Sequence, residues 1–335
     1  MEMESIQGYI DRASDLLDRG NLSEAMNLYN LVISRDPEHC EALLMLGALH
    51  AEQGEIEKGE ALINQSIQSN RDYSEAYLTL GHILRAQGKV DSALEAFRKT
   101  VELEPENTEY NCTLGNLAQE LNQNAEAIDC FERAVKNNDC GVDAWMMLGA
   151  LQYGAGSHNR AEECYRAVLS IAPNHLDALK GLSCTLVALR KSEEAESLLR
   201  EVVFADPSAA DMHQLLAVIL LALGKHRESL DPIDRALLLK PEHQPYLITR
   251  AEALEKSGDF EDAYDILLPM LESNAPPLSA ALIFARFCSL MDMKEECLTI
   301  LHKISKERDL NHNERKQLTL HIAMISDSME LELPH

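Results

Sequence analysis

Three kinds of side chain here could do chemistry: paired carboxylates, histidines and thiols. Glu162-Glu163, Glu193-Glu194 and Glu295-Glu296 have the types that general acid–base work needs, one carboxyl giving a proton while its neighbour takes one. Each pair falls at the start of a helical pattern, where acidic side chains are favoured by the helix dipole, and that use is the expected one. The 12 histidines are scattered, with no His-Glu-x-x-His. His213 and His321 lie in apolar patterns and read as packed side chains rather than ligands. The eight cysteines, Cys40, Cys112, Cys130, Cys140, Cys164, Cys184, Cys288 and Cys297, form no Cys-x-x-Cys and no close Cys/His spacing of the kind zinc needs. Cys130 and Cys164 stand one period of 34 residues apart and could face one another, but read first as small apolar side chains. Neither a Gly-x-Gly-x-x-Gly nor a phosphate-binding P-loop is present. No catalytic residue, cofactor or metal site is expected.

The elements that carry these residues repeat. Leu114-Gly115 and Leu148-Gly149 are 34 residues apart, as are Ala127 and Ala161, and Phe131 and Tyr165. A fixed period of this length signals a solenoid of stacked units, each packing on its neighbours alone. The period divides residues 1–311 into units of about 6–39, 40–73, 74–107, 108–141, 142–175, 176–209, 210–243, 244–277 and 278–311, followed by a capping helix and tail over 312–335. In each unit an apolar face recurs at i, i+4 and i+7, breaks at a turn, and resumes, which predicts two antiparallel helices. Pro37, Pro105, Pro173, Pro207 and Pro241 end second helices, since proline cannot continue them. The second unit lacks both this proline and the usual aromatic residue; in the eighth, Pro269, Pro276 and Pro277 are expected to distort the second helix and its exit. Gly47, Gly81, Gly115 and Gly149 mark close helix approach, and Tyr29, Phe97, Phe131 and Tyr165 fill the space between units.

The chain carries 30 basic and 56 acidic residues, a net charge of −26. Such a surface repels nucleic acid and anionic membranes and suits a partner with basic character. The longest apolar run, Leu215 to Leu223, is too short for a membrane span. The acidic start Met1-Glu-Met-Glu-Ser5 has no apolar signal region. Cysteines set among apolar residues of helices indicate a reducing compartment, and a cytoplasmic location is expected.

Counting from the first residue of each unit, the pattern is large at position 4, Leu-Gly at 7 and 8, Gly at 15, Ala at 20, aromatic at 24 and Pro at 32, with Trp145 at a position 4. This resembles the tetratricopeptide repeat over nearly the whole chain. The resemblance implies an all-α fold, a right-handed superhelical solenoid of about nine helix-turn-helix repeats with a C-terminal capping helix. It also implies a concave groove lined by positions 2, 5, 9 and 12 of the first helices. Those positions include His82, Arg85, Asn116, Met146, Ala150, Tyr153, Lys180, Cys184, Val187, Gln214, Val218 and Leu221. The middle of this set is apolar with few charges, and Lys180, near Asp177, is the cation placed to orient a ligand carboxylate. The Lys/Asn/Arg carboxylate clamp of chaperone-binding relatives is not matched. The position-6 asparagine ladder of the O-linked N-acetylglucosamine transferase type is absent as well. Residues 314–327 are similar to the helix that ends the repeat region of some bacterial repeat-plus-sulfotransferase proteins.

The expected function is a non-catalytic scaffold holding a partner peptide or helix of apolar and basic character. The alternative is the repeat region of a larger sulfotransferase- or glycosyltransferase-like enzyme whose catalytic domain lies outside this chain. A third expectation is self-association, through the groove or through a stripe of Leu318, Ile322, Ile325 and Met329 on the last helix.

Overall fold

Leucine, alanine and long polar residues at a 3.6-residue apolar spacing favour helices, and helices are what form. The structure, a computed structural model, describes residues 5–136, 141–273, 276–307 and 310–330, the side chains of 307 and 328–330 excepted. Cys140, the tail after Glu330 and the Met329 side chain therefore lie outside the described residues. The fold is all-α, about nine helix pairs and a last helix.

The chain forms two units, Met1–Ile171 and Ala172–His335. In the first, the pairs are α1 (Ile6–Asp18) with α2 (Leu22–Arg35), α3 (Cys40–Glu52) with α4 (Ile56–Ser69), and α5 (Ser74–Ala86) with α6 (Val90–Leu103). They continue as α7 (Thr108–Glu120) with α8 (Asn124–Ala134), and α9 (Val142–Gly154) with α10 (His158–Ile171). In the second, α11 (Leu176–Ala188) pairs with α12 (Ser192–Ala205), α13 (Ala210–Ala222) with α14 (Leu230–Leu239), α15 (Gln244–Ser257) with α16 (Phe260–Leu271), and α17 (Leu278–Phe287) with α18 (Lys294–Glu307). The last helix is α19 (His312–Glu330). Within each unit every helix packs on the one before and the one after it.

The turn inside each pair needs a left-handed residue. Glycine supplies it at Gly20, Gly54, Gly88, Gly156, Gly224 and Gly258, with φ between 75° and 90°. Where glycine is missing, Asn122 (φ 58°), Arg190 (φ 58°) and Asp292 (φ 56°) take the same conformation. Of these, Arg190 bears the steric cost most directly, since asparagine and aspartate tolerate this region better than other side chains.

Close approach explains the position-8 glycines. A Cβ on Gly81 would stand 2.3 Å from Phe97 Cε1, and the corresponding rings of Phe131 and Tyr165 come to 3.0 Å at Gly115 and Gly149. The aromatic residue thus lies over the glycine of its own repeat, and Phe97 and Phe131 also pack with residues of the next one. The second repeat, with Ile63 in place of the aromatic residue at position 24, closes backbone on backbone: a Cβ on Gly59 would meet the Gly47 carbonyl at 2.6 Å. There Ser66, fully buried, donates to the Cys40 carbonyl at 2.7 Å.

Two prolines lie within second helices, Pro269 in α16 and Pro232 in α14. Helix α16 runs through Pro269 to Leu271, because a proline near a C-terminus removes only one intrahelical bond. In the seventh repeat it is the start of the second helix that changes. Pro232 cannot donate to the Glu228 carbonyl, and the first turn is a 3-10 turn over Arg227–Ser229 before α14 begins.

The last repeats hold the largest apolar cluster. Phe260 stacks on Phe287 at 5.5 Å, and Phe284 meets Phe287 edge-on at 5.7 Å. Leu318 and Ile325 of α19 join this cluster, 1% and 4% exposed, with Ile322 partly buried beside them. The stripe expected to mediate self-association is therefore used within the chain, where α19 packs on α17 and α18. Among the described side chains of α19 the large apolar residues left exposed are Leu320 and Met324.

Candidate interaction faces on the first helices

The predicted partner-facing residues divide evenly. His82, Arg85, Asn116, Met146, Ala150 and Tyr153 belong to the first unit, and Lys180, Cys184, Val187, Gln214, Val218 and Leu221 to the second.

In the first unit, Arg85, Asn116, Ala150 and Tyr153 are exposed and Met146 is half-buried. Arg85 is not a free cation, since its guanidinium donates to Glu120 of the next first helix at 2.6 Å. His82 is on the surface, yet its ring meets Phe97 edge-on at 5.1 Å. That desolvation, with Arg85 next, lowers its pKa. Tyr153 lies against His158, ring centroids 5.2 Å apart, and remains 37% exposed beside Met147 at 39%.

In the second unit Val218 is 39% exposed, and Cys184, Val187 and Gln214 are half-buried. Leu221 differs from expectation: it is 6% exposed, part of the packing of α13 rather than of its outward face. Lys180 differs too. Its ammonium is held by Asp206 at 2.8 Å, not by Asp177, and is unavailable to orient a ligand carboxylate. That contact, with a second hydrogen bond from Ser208, holds the Asp206 carboxyl down to about 2. Gln214 donates to Thr249 Oγ1 of the next first helix at 3.2 Å.

The other cations on first helices are also engaged. Arg250 binds Asp234 at 2.6 Å, Lys256 reaches Glu252 at 3.4 Å, and Arg286 binds Glu255 at 2.9 Å. What these faces present is therefore apolar surface and carboxylates, with the positive charge already neutralised.

The residues that looked chemical have structural roles. His39 and His175 are N-caps, their Nδ1 atoms accepting from Ala42 and Ala178 amides. His213, 7% exposed, contacts the Pro207 carbonyl through Nε2 at 3.1 Å; His321 reaches the Gln317 carbonyl at 2.9 Å from a half-buried position. Glu193-Glu194 and Glu295-Glu296 occupy first turns, as the helix dipole favours. Glu162-Glu163 lies deeper in its helix, and the two carboxylates bind Arg166 and Arg160. Cys130 and Cys164 are both buried but in different apolar clusters. Among the described residues no group of three His, Cys, Asp or Glu stands together as metal ligands would. No helix among them is long and apolar enough to cross a membrane.

Two polar features were not anticipated. Asn111 and His213, both at position 4 where bulky residues are usual, reach back to the carbonyl of the preceding repeat's closing proline. The Asn111 amide donates to Pro105 at 2.8 Å, matching the His213 contact. The equal spacing of six residues before each was a legible signal. Tyr110 and Tyr246, at position 3, tie to the previous first helix, one meeting Ser74 at 3.3 Å and the other donating to Asp211.

Tetratricopeptide-repeat family profiles match residues 16–82, 74–107 and 108–139. A profile described as the middle TPR-like domain of cilia and flagella-associated protein 70 matches residues 131–231. No curated protein matches the sequence significantly. The crystal structure of YrrB, described as a TPR protein with an unusual peptide-binding site, is similar with a TM-score of 0.51 and 22% identity, covering 55% of this chain and 95% of that one. The structure of Naa15/Naa10 bound to HypK-THB is similar with a TM-score of 0.59 and 15% identity; 96% of this chain is covered, spanning 55% of that one.

Proposed function

This chain is a tetratricopeptide-repeat protein, and on that premise we propose that it is a non-catalytic scaffold whose first-helix faces hold a partner segment with an apolar side and basic edges. One observation carries the reading. The half-exposed apolar residues Met147, Tyr153 and Val218 sit on faces whose cations Arg85, Lys180 and Arg286 are already bound to carboxylates. Acidic residues such as Glu75, Glu109 and Asp143 are left to attract a basic partner, and the apolar side chains supply the surface whose burial favours binding. YrrB, described as peptide-binding, supports the class of partner rather than its identity. The cysteine usage supports a reducing, cytoplasmic setting.

The test is affinity capture with the intact chain beside a Tyr153→Ser, Val218→Ser variant. Both positions are more than a third exposed, so the variant should keep its helix content, unlike one altered at buried Leu221. A partner captured by the intact chain alone, and still bound at high salt, is the expected result. The same proteins in both lanes would refute the assignment to these faces.

A further inference from the structure

The second unit has a cleft of about 640 Å³ on its second-helix side, away from the first-helix faces. It opens between α12 and α14. His213 and Leu216 of α13 form its floor, 7% and 3% exposed, and Pro207 and Pro232 form its sides. Phe204 stands at its edge, 88% exposed.

The sequence explains why the cleft forms in this repeat. Position 4 holds Leu43, Tyr77, Trp145, Leu179 and Leu247 in five other repeats and the smaller Asn111 and Ala281 in two; here it holds His213, whose ring is drawn to the Pro207 carbonyl, and it alone of these three faces a proline within the second helix. Pro232 replaces the first α-helical turn opposite with a 3-10 turn. A smaller floor residue and an altered wall leave room.

Its charges are unequal. Arg200 is neutralised by Glu196 at 3.0 Å and Glu228 at 2.9 Å. Arg235, at the mouth, makes no side-chain hydrogen bond or ion pair among the described residues, and Asp231 one turn earlier makes none either. An unpaired guanidinium beside an exposed phenylalanine, in a chain of net charge −26, is suited to an anion attached to a flat apolar group.

We propose that this cleft is a second binding site, taking a C-terminal aromatic residue of a partner protein, whose α-carboxylate lies beside the ring. The ring lies against Phe204 and Pro232 above Leu216, and the carboxylate meets Arg235. The volume lies within the roughly 300–1,000 Å³ usual for ligand clefts and exceeds what one ring needs, so neighbouring partner residues enter as well. Asp231 limits the gain from the carboxylate to that of an exposed ion pair. The site shares no residue with the first-helix faces, so its failure leaves the scaffold reading standing.

The probe is N-acetyl-tryptophan, titrated into the full chain with methyl labels on leucine and valine, beside N-acetyl-tryptophanamide, which lacks the carboxylate. The Leu216 and Val203 methyl signals should shift, and the acid should bind about two- to five-fold more tightly than the amide. Arg235→Gln should bring that ratio to one, and Phe204→Ala should weaken both probes; both residues are exposed, so circular dichroism should be unchanged. Unmoved Leu216 and Val203 signals at the solubility limit would overturn the proposal. So would a preference for the acid that survives Arg235→Gln, or affinities for both probes that are unchanged in Phe204→Ala.

Discussion

Gly81→Ala is the sharpest test of how the repeats pack. The added Cβ would stand 2.3, 2.6 and 2.9 Å from three carbons of the Phe97 ring. Carbon atoms in contact prefer about 3.5–4.0 Å, so the ring must retreat by more than about 1 Å. It has nowhere to go, being fully buried among Leu84, Ala93, Leu94 and Tyr110. Overpacking of this kind costs about 1–3 kcal/mol, the upper part of that range for so close an approach, and alanine returns about 0.5–1 kcal/mol of helix propensity, leaving a net loss of up to about 2.5 kcal/mol. Gly115→Ala is the control. There the nearest Phe131 carbons lie at 3.0, 3.1 and 3.2 Å, a few tenths from ordinary contact, and the two effects should nearly cancel. A repeat array does not unfold in one step, so the assay is hydrogen exchange of the full chain, read in peptides from residues 74–107 and 108–136. About tenfold faster exchange in the first segment for Gly81→Ala, with little change in the second for Gly115→Ala, is expected. Adding Phe97→Leu to Gly81→Ala should cost less than the sum of the two single changes. Slower exchange in Gly81→Ala, or strict additivity with Phe97→Leu, would refute the packing argument.

Arg190→Gly should stabilise its repeat by up to about 1 kcal/mol, because arginine there holds a left-handed φ of 58°; Asn122→Gly should gain less, and denaturation midpoints of the two variants compare them. Asn111→Leu should destabilise the fourth repeat by about 1–3 kcal/mol, since it strips a buried donor from the Pro105 and Asn107 carbonyls, seen as faster exchange around residues 105–111. Asp206 gives a pH dependence: its folded pKa of about 2 lies below the ordinary carboxylate value, so its contribution is present above about pH 4 and is lost as pH falls toward 2. Lys180→Met removes the first cause of that shift, and acid titration of the Asp206 carboxyl by NMR should then find its pKa raised.

Helix pairing was legible because it is written in period and residue size. Leu-Gly, Ala and an aromatic residue at fixed spacing specify which surfaces touch, and Gly81 beneath Phe97 is that code in space. Polar contacts were less legible, because their partners depend on where a side chain ends. Lys180 sits near Asp177 in sequence, but Asp206, brought close by the antiparallel return of α12, takes it. Leu221 occupies a groove position in the pattern, yet α13 is apolar nearly all round and packs it inward, so period alone could not assign its face. The cleft over His213 had a signal, a polar residue where the pattern wants bulk, but its meaning required Pro232 on the facing helix.

The cysteines have a use beyond filling space. Burial pushes the Cys130 thiol up to about 12 and Cys164 to about 11, and Cys297 is raised by its buried neighbour Cys288. At neutral pH a thiol of pKa 12 is ionised about once in 10⁵ molecules, and a bulky reagent cannot reach it while its helices stay closed. Alkylation must then wait for a local opening. Cys130, Cys164 and Cys297 lie in the fourth, fifth and ninth repeats, so three native thiols act as separate clocks on three segments of the array. Mass spectra taken during labelling would show the order in which those repeats breathe, in the unaltered protein.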